Sequence, residues 1–151
     1  MAHPGKKDIE QGLERFEQVC REAGVRLTPQ RREIFAEVAR AEDHPDAEAV
    51  HRRIRRRMPG VSLDTVYRTL WLLKDLGLIG TLGASRQRTR FDGNLARHHH
   101  FVCTRCGMTR DFYSEELDDL ELPRSAKAFG RIQETSVEVR GVCRECSKSK
   151  T

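Results

Sequence analysis

Apolar residues recur every three to four positions through the first half of the chain, which is the period of an amphipathic helix. A first helix over 8–23 is predicted by four such residues, Ile9, Leu13, Phe16 and Cys20. Gly24 follows at the position where glycine commonly ends a helix. Three more helices are predicted over 29–41, 47–58 and 63–76, each preceded by an N-capping side chain: Thr28, Asp46 and Ser62.

Two short strands are predicted after the fourth helix. Residues 78–82 and 87–91 have strand-like patterns and flank the segment Gly83-Ala84-Ser85-Arg86. Helices followed by a hairpin are the order of a winged helix-turn-helix domain. We therefore predict such a domain over 1–84, with the end of the wing and a hinge over 85–97.

Beyond residue 97 the pattern changes to a period of two, which is typical of strands. Strands are expected near 100–103, 108–113 and 131–141, and a helix in 114–120 or 125–129. Residues 147–151 are expected to be frayed. The second half, 98–151, is predicted to be a small α/β domain, so the whole chain falls in the α+β class.

Composition and charge narrow the possible functions. Hydrophobic residues make up 37% of the chain and charged residues 34%, with no apolar run near the ~18 residues that a membrane helix needs. The first residues contain no apolar signal segment, so we expect a cytoplasmic protein with no membrane partner. The net charge is +5, with 18 basic and 14 acidic side chains in 1–92 against 10 and 9 in 93–151. A basic first half indicates a module that binds a polyanion.

Four of the five cysteines form two C-x-x-C pairs, Cys103 with Cys106 and Cys143 with Cys146. Each pair can present two thiolates to one ion, and four thiolates around Zn²⁺ make a closed structural site. A redox dithiol or unrelated free thiols are the alternatives, but a redox site has no need of a second pair. Cys20 lies on the apolar face of the first helix, where a small buried side chain is the expected role.

A histidine cluster precedes the first cysteine pair. On a strand, His98 and His100 point to one face and His99 to the other. With Asp92 upstream, Asp111 on the next strand and His44 after the second helix, these side chains could hold Fe²⁺ or Mn²⁺. From spacing alone, a polar cluster without any ligand role is an equally open interpretation.

Arginines are concentrated at two places in the first half. Residues 52–57 hold five arginines in six positions, which is either a solvated helix face or a polyanion contact. Arg86, Arg88 and Arg90 alternate along the predicted wing, where phosphate or minor-groove contacts explain them better. The start of the fourth helix, where a recognition helix meets base edges, carries Ser62, Thr65, Tyr67 and Arg68. Tyr67 could instead be a partly buried core residue.

Taken together, these segments resemble the ferric uptake regulator family of bacterial metal-dependent repressors. The resemblance extends over roughly residues 10–147 in the family's order, and its matching segments are 26–31, 62–70, 77–79, 90–92, 98–107 and 141–146. It implies a homodimer with an N-terminal winged-helix DNA-binding domain and a C-terminal dimerisation domain that holds the four-cysteine zinc site. It also implies binding to a palindromic operator in double-stranded DNA, for which the candidate contacts are Arg26, Thr28, Ser62, Thr65, Tyr67, Arg68, Arg86 and Arg88.

The resemblance also assigns the regulatory metal site. In the family that site combines residues matching His44, Asp92, His98, His100 and Asp111. Aspartate at both carboxylate positions resembles the peroxide-sensing branch, in which iron catalyses oxidation of ligands matching His44 and His98. The alternative is an iron-responsive uptake repressor that does not sense peroxide. A further metal site of many family members uses a histidine before the last cysteine pair, and residues 133–136 contain none, so we expect that site to be missing.

An enzyme is the alternative from another class, with His98 and His100 as catalytic ligands on a zinc ribbon. It would need a general acid or base and a substrate cleft. The obvious carboxylates are already assigned as metal ligands, so we expect no enzymatic activity.

Overall fold

The computed structural model describes residues 6–83 and 89–149, and the chain divides between Leu95 and Ala96 into two compact units. The first unit contains α1 (Lys6–Glu22), α2 (Pro29–Arg40), α3 (Ala47–Ile54), α4 (Leu63–Asp75), β1 (Gly80–Leu82) and β2 (Arg90–Asp92). The second contains β3 (His99–Cys103), β4 (Thr109–Phe112), α5 (Glu115–Asp118), α6 (Arg124–Lys127), β5 (Glu138–Gly141) and α7 (Arg144–Lys148). The division of the chain into functional domains over 1–84, 85–97 and 98–151 remains a prediction.

All three predicted N-caps are confirmed. Thr28 Oγ1 accepts a hydrogen bond from the Arg31 N–H at 3.2 Å, and Pro29 begins α2. Asp46 Oδ1 accepts from the Ala49 N–H at 2.8 Å, and Ser62 Oγ accepts from the Thr65 N–H at 3.1 Å. Each cap satisfies a backbone donor that the first helical turn leaves without a partner, so the helices start where the sequence sets them.

Helix α3 is shorter than predicted and ends at Ile54 instead of Met58. The Arg57 N–H donates to the Ile54 carbonyl at 2.9 Å, three residues back instead of the four of an α-helix, and shares that carbonyl with the Met58 N–H at 2.8 Å. Met58 precedes Pro59, and the residue before a proline is sterically pushed away from the helical region. The arginine run therefore extends from the end of α3 into the turn that leads to α4.

The first hairpin strand is also shorter than predicted. The Leu78 N–H donates to the Leu73 carbonyl at 2.9 Å, so Leu78 closes the C-terminal cap of α4, with Gly77 at a φ of +72°. Strand β1 therefore begins at Gly80 and pairs antiparallel with β2, with Thr81 opposite Phe91. Residues 84–88, which include the predicted wing contacts Arg86 and Arg88, lie outside the described residues.

The apolar core of the first unit joins its helices to its hairpin. Its largest fully buried side chains include Phe16, Ile34, Leu70, Leu73 and Phe91. The Phe16 and Phe35 rings stack at 5.1 Å, and Trp71 meets Phe91 edge-on at 5.8 Å. Cys20 is buried as expected, and burial raises the pKa of its thiol.

The sheet of the second unit has the strand order β4-β3-β5. Strand β3 pairs antiparallel with β4, which places His100 opposite Asp111, and parallel with β5, which places Cys103 opposite Gly141. Only Glu138–Gly141 of the predicted strand 131–141 is a strand, and its Val139 remains 42% exposed. Residues 144–148, partly expected to be frayed, form α7.

In the described part of the chain, no helix has both the length and the apolar character needed to cross a membrane.

The end of β2 is held against α2 by a close approach at Gly93. A Cβ atom at this position would lie 2.8 Å from Ala39 Cα and 2.9 Å from the Val38 carbonyl oxygen. Gly93→Ala should therefore lower the free energy of unfolding by about 1–3 kcal/mol, as overpacking typically does. Urea denaturation of the metal-loaded protein measures this loss.

Gly60→Ala is the matched control, because a Cβ atom there meets nothing within 4 Å. Its stability should stay within about 0.5 kcal/mol of the wild type. Equal stability of the two variants would contradict the close approach.

Candidate metal centres and nucleic-acid interface

The two cysteine pairs form one cluster in the second unit. The Sγ atoms of Cys103, Cys106, Cys143 and Cys146 all lie within 4.8 Å of one another. Cys103 ends β3 and is followed by a tight turn that closes at Gly107, whose φ is +74°. The second pair opens α7, and the parallel pairing of β3 with β5 brings it beside the first. This cluster is the one that the sequence spacing predicted.

The electrostatics of the cluster favour a bound cation. Backbone N–H groups of Cys106 and Cys143 lower the pKa of the Cys103 thiol to about 6, which favours a thiolate. Hydrogen bonds to the Cys143 and Cys106 sulfurs, together with the Cys103 charge, raise the pKa of Cys146 to about 12. Accumulating negative charge thus resists the last deprotonation. A divalent cation removes that resistance, and four thiolates with no open position fit Zn²⁺.

A second donor group occupies one face of β3 and β4. His98 Nε2 and His100 Nε2 are 3.0 Å apart, and they lie 3.6 and 3.3 Å from Asp111 Oδ1. All three side chains are largely buried. His98 Nδ1 donates to the Ala96 carbonyl, which makes Nε2 the ligand atom, an arrangement typical of metal-binding histidines. Two imidazoles and one carboxylate can hold a nitrogen- and oxygen-preferring cation.

The first unit contains its own pair of donors, His44 and Asp92. His44 Nε2 lies 3.4 Å from Asp92 Oδ2, and both residues are buried. Asp92 Oδ1 accepts from the Asn94 N–H at 2.9 Å. The loop that carries His44 is tied to β2 because the Phe91 N–H donates to the Pro45 carbonyl at 3.0 Å. His44 itself has a φ of +53°, a left-handed conformation that this tie holds in place.

Sequence reasoning missed the role of His99, which points to the opposite face of β3. Its side chain is fully buried, and its Nδ1 accepts a hydrogen bond from the Val137 N–H at 3.1 Å. The proton therefore resides on Nε2, which donates to Asp118 Oδ1 at 3.0 Å. His99 thus links β3 to α5 and to the segment before β5. Asp118, near the end of the segment 114–120 in which a helix was expected, was the one signal in the sequence that could have indicated this role.

The predicted DNA contacts of the first unit lie along α2 and α4. A groove of about 340 Å³ is lined by Thr28, Thr65 and Arg68 together with Gln30, Arg31, Thr69 and Leu72. Arg68 Nε donates to Asp64 Oδ2 at 2.8 Å. Arg26 is exposed, whereas Tyr67 is half-buried and packs against the core.

A winged-helix arrangement combined with thiolate, imidazole and carboxylate donor groups defines the class of metal-responsive DNA-binding regulators. The family model for the ferric uptake regulator family matches residues 22–140. The chain belongs to this family.

Relatives and solved structures refine the comparison. The peroxide-responsive repressor PerR of Staphylococcus epidermidis is 32% identical over 142 residues, which are 94% of this chain and 95% of that protein. A structure of PerR from Streptococcus pyogenes is 27% identical with a TM-score of 0.52, covering 89% of this chain and 92% of its own. The Helicobacter pylori ferric uptake regulator, whose structure has three functional metal-binding sites, shares the fold over 100% of both chains with a TM-score of 0.77 and 23% identity.

The hydrogen bonds of His99 should contribute measurably to stability. His99→Ala leaves the Asp118 carboxylate and the Val137 N–H without this partner, so the free energy of unfolding should fall by about 1–3 kcal/mol. Urea denaturation of the zinc-loaded protein tests this value. His99→Gln, whose amide nitrogen can still donate to Asp118, should lose less. Wild-type stability of the alanine variant would contradict the assigned role.

Proposed function

We propose that this chain is a metal-dependent transcriptional repressor that senses hydrogen peroxide through iron-catalysed oxidation of its histidine ligands. The observation that carries this proposal is a nitrogen and oxygen donor set whose two carboxylates are both aspartates, Asp92 and Asp111. The likeness to peroxide-responsive repressors over nearly the whole chain supports it. The protein acts on DNA in the cytoplasm and is a regulator, not an enzyme.

The regulatory ion is Fe²⁺ or Mn²⁺, held jointly by His44, Asp92, His98, His100 and Asp111. Each unit alone offers two or three of these donors, fewer than such ions require, whereas five donors suit them. Two carboxylates also neutralise one divalent charge. Because the ligands belong to both units, binding favours one arrangement of the two units, to the extent that the ion's affinity differs between arrangements.

Peroxide sensing depends on two of the imidazoles. When bound, Fe²⁺ would supply redox catalysis, by which hydrogen peroxide gives one oxygen atom to an imidazole carbon and its other oxygen leaves as water. His44 and His98 are the side chains that take up the oxygen atom. An oxidised imidazole is a poorer ligand, so the favoured arrangement is lost and the protein leaves its operator.

The Cys103, Cys106, Cys143 and Cys146 cluster holds a structural Zn²⁺. Four protein ligands leave no position for a substrate, so this ion stabilises the fold and takes no part in sensing. It joins the end of β3 to the start of α7.

Exposed apolar side chains on the second unit support the proposal that the protein forms a homodimer. Five of its larger apolar residues are exposed: Leu120, Phe129, Ile132, Val139 and Val142. Phe129 is the most exposed of these, at 94%. A second copy of the chain would cover such a surface. The dimer places two α4 helices on the half-sites of a palindromic operator. The proposed DNA contacts are Arg26, Thr28, Ser62, Thr65, Tyr67, Arg68, Arg86 and Arg88.

Loss of one thiolate should release the structural zinc. Cys143→Ser should leave the purified protein with less than one Zn²⁺ per chain and with a lower free energy of unfolding, because the metal stabilises only the folded state. Mass spectrometry of the metal content measures the loss. Cys20→Ser removes a cysteine outside the cluster and should retain zinc. Equal zinc content in the two variants would contradict the assignment.

Peroxide should act only on the iron-loaded protein. Operator binding should be present with Fe²⁺ and with Mn²⁺, and a brief peroxide pulse should abolish it only with Fe²⁺. Peptides that contain His44 or His98 should then carry one additional oxygen atom. Fluorescence anisotropy of labelled DNA and peptide mass spectrometry check these outcomes.

The Mn²⁺-loaded protein is the control for non-specific oxidation. Iron-loaded protein that still binds DNA after the pulse, with both histidines unmodified, would indicate the iron-responsive uptake repressor instead. If the protein binds DNA specifically neither with Fe²⁺ nor with Mn²⁺, that result would contradict both functions.

A further inference from the structure

The arginine run at the end of α3 forms a groove that the regulatory function does not use. The groove has a volume of about 470 Å³ and is lined by Arg52, Arg53, Arg56, Arg57 and Glu37. Its lining holds four guanidinium groups and one carboxylate, so positive side chains outnumber negative ones there. Such a surface fits an anionic partner.

Two of the five arginines are neutralised within the first unit. Arg53 donates to Asp43 Oδ1 at 3.1 Å and lies 3.8 Å from Glu37 Oε1. Arg57 pairs with Glu33 at 3.2 Å and with Glu37 at 3.0 Å. These ion pairs tie α3 and the turn that follows it to α2 and to the loop after α2, which gives Arg53 and Arg57 a structural role.

The other three arginines, Arg52, Arg55 and Arg56, are exposed. Within residues 6–83 and 89–149, no carboxylate forms an ion pair with any of them. The negative end of α3 favours a cation only within its last turn. Of these three arginines only Arg52 lies in that turn, because Arg55 and Arg56 follow Ile54. Their own unit therefore gives no sufficient reason for three exposed guanidinium groups in this run.

We propose that Arg52, Arg55 and Arg56 bind backbone phosphates of double-stranded DNA outside the base-reading contacts of α4. Helix α3 packs against α4 as the first helix of the helix-turn-helix pair, and in this motif the first helix crosses the DNA backbone. Guanidinium groups bind phosphate oxygens in a bidentate manner. This inference rests on the proposed DNA-binding function and adds a sequence-independent anchor to it.

Salt dependence of DNA binding distinguishes phosphate binding from other roles. The triple variant R52Q/R55Q/R56Q, loaded with Mn²⁺, is titrated against a duplex selected by the wild type from a random library and against a scrambled duplex. The slope of log affinity against log salt should flatten by about 0.9 for each phosphate that the variant no longer neutralises. Affinity should fall by a similar factor for both duplexes, because phosphates carry no sequence information.

Two further variants sharpen the comparison. R124Q/K127Q/R131Q removes three exposed cations from the second unit and matches the change in net charge, so its slope should equal that of the wild type. R52K/R55K/R56K keeps the positive charge and should retain most of the slope. Thermal unfolding by circular dichroism confirms that each variant is folded, and the single variants R52Q, R55Q and R56Q take the place of the triple variant if it is not.

The outcomes separate this inference from the function on which it rests. A wild-type slope in R52Q/R55Q/R56Q overturns the inference alone and points to an acidic protein partner for the groove. An equal loss of slope in R124Q/K127Q/R131Q also overturns it, because net charge would then explain the effect. Failure of the wild type to bind either duplex overturns the repressor function as well.

Discussion

Scarcity of apolar core is the constraint on which the second unit depends. Among the residues that the structure describes there, the buried side chains are His99, His100 and Thr109 with two cysteines, whereas the apolar core cluster lies in the first unit. A domain of this size is only marginally stabilised by hydrophobic packing, and this one buries few apolar side chains. Zinc thiolates, the hydrogen-bonded His99 and a partner over the exposed apolar side chains each supply what packing does not. Metal binding and folding are therefore coupled in this half of the protein.

Side chains alternate along β3, so the candidate metal ligands lie on one face of the strand and a histidine that stabilises the fold lies on the other. His98 and His100 face Asp111 on one side, while His99 is fixed by Asp118 and Val137 on the other. Three consecutive histidines thus have two separate roles. The hydrogen bonds behind the strand limit its movement, and a strand that cannot shift presents its ligands in a fixed geometry.

Short sequence patterns predicted those parts of the fold that depend on residues close together in the chain. The N-caps at Thr28, Asp46 and Ser62, the order of helices and hairpin, and the two cysteine pairs were all visible as short patterns. The end of α3 was placed at Met58, directly before Pro59, whereas the regular helix stops four residues earlier, at Ile54.

The structural features that the sequence did not predict depend on contacts between residues far apart along the chain. The parallel pairing of β3 with β5 joins segments about 40 residues apart, and no periodicity encodes it. The partnership of His99 with Asp118 depends on that pairing and on the position of α5. Likewise, the sequence showed five arginines in six positions but not that Asp43, Glu33 and Glu37 neutralise only two of them.

The parallel strand β5 also determines when the second unit can form during synthesis on the ribosome. Strand β3 leaves the ribosome with one edge able to pair with β4 and with half of the thiolate cluster, but its other edge waits for residues 138–141. The first unit has by then been complete for some 40 residues and can fold ahead, as N-terminal domains generally do. In the interval the nascent chain exposes an open strand edge and two reactive thiols. The four-thiolate cluster is therefore the last feature of this unit that can close, because its second cysteine pair follows β5.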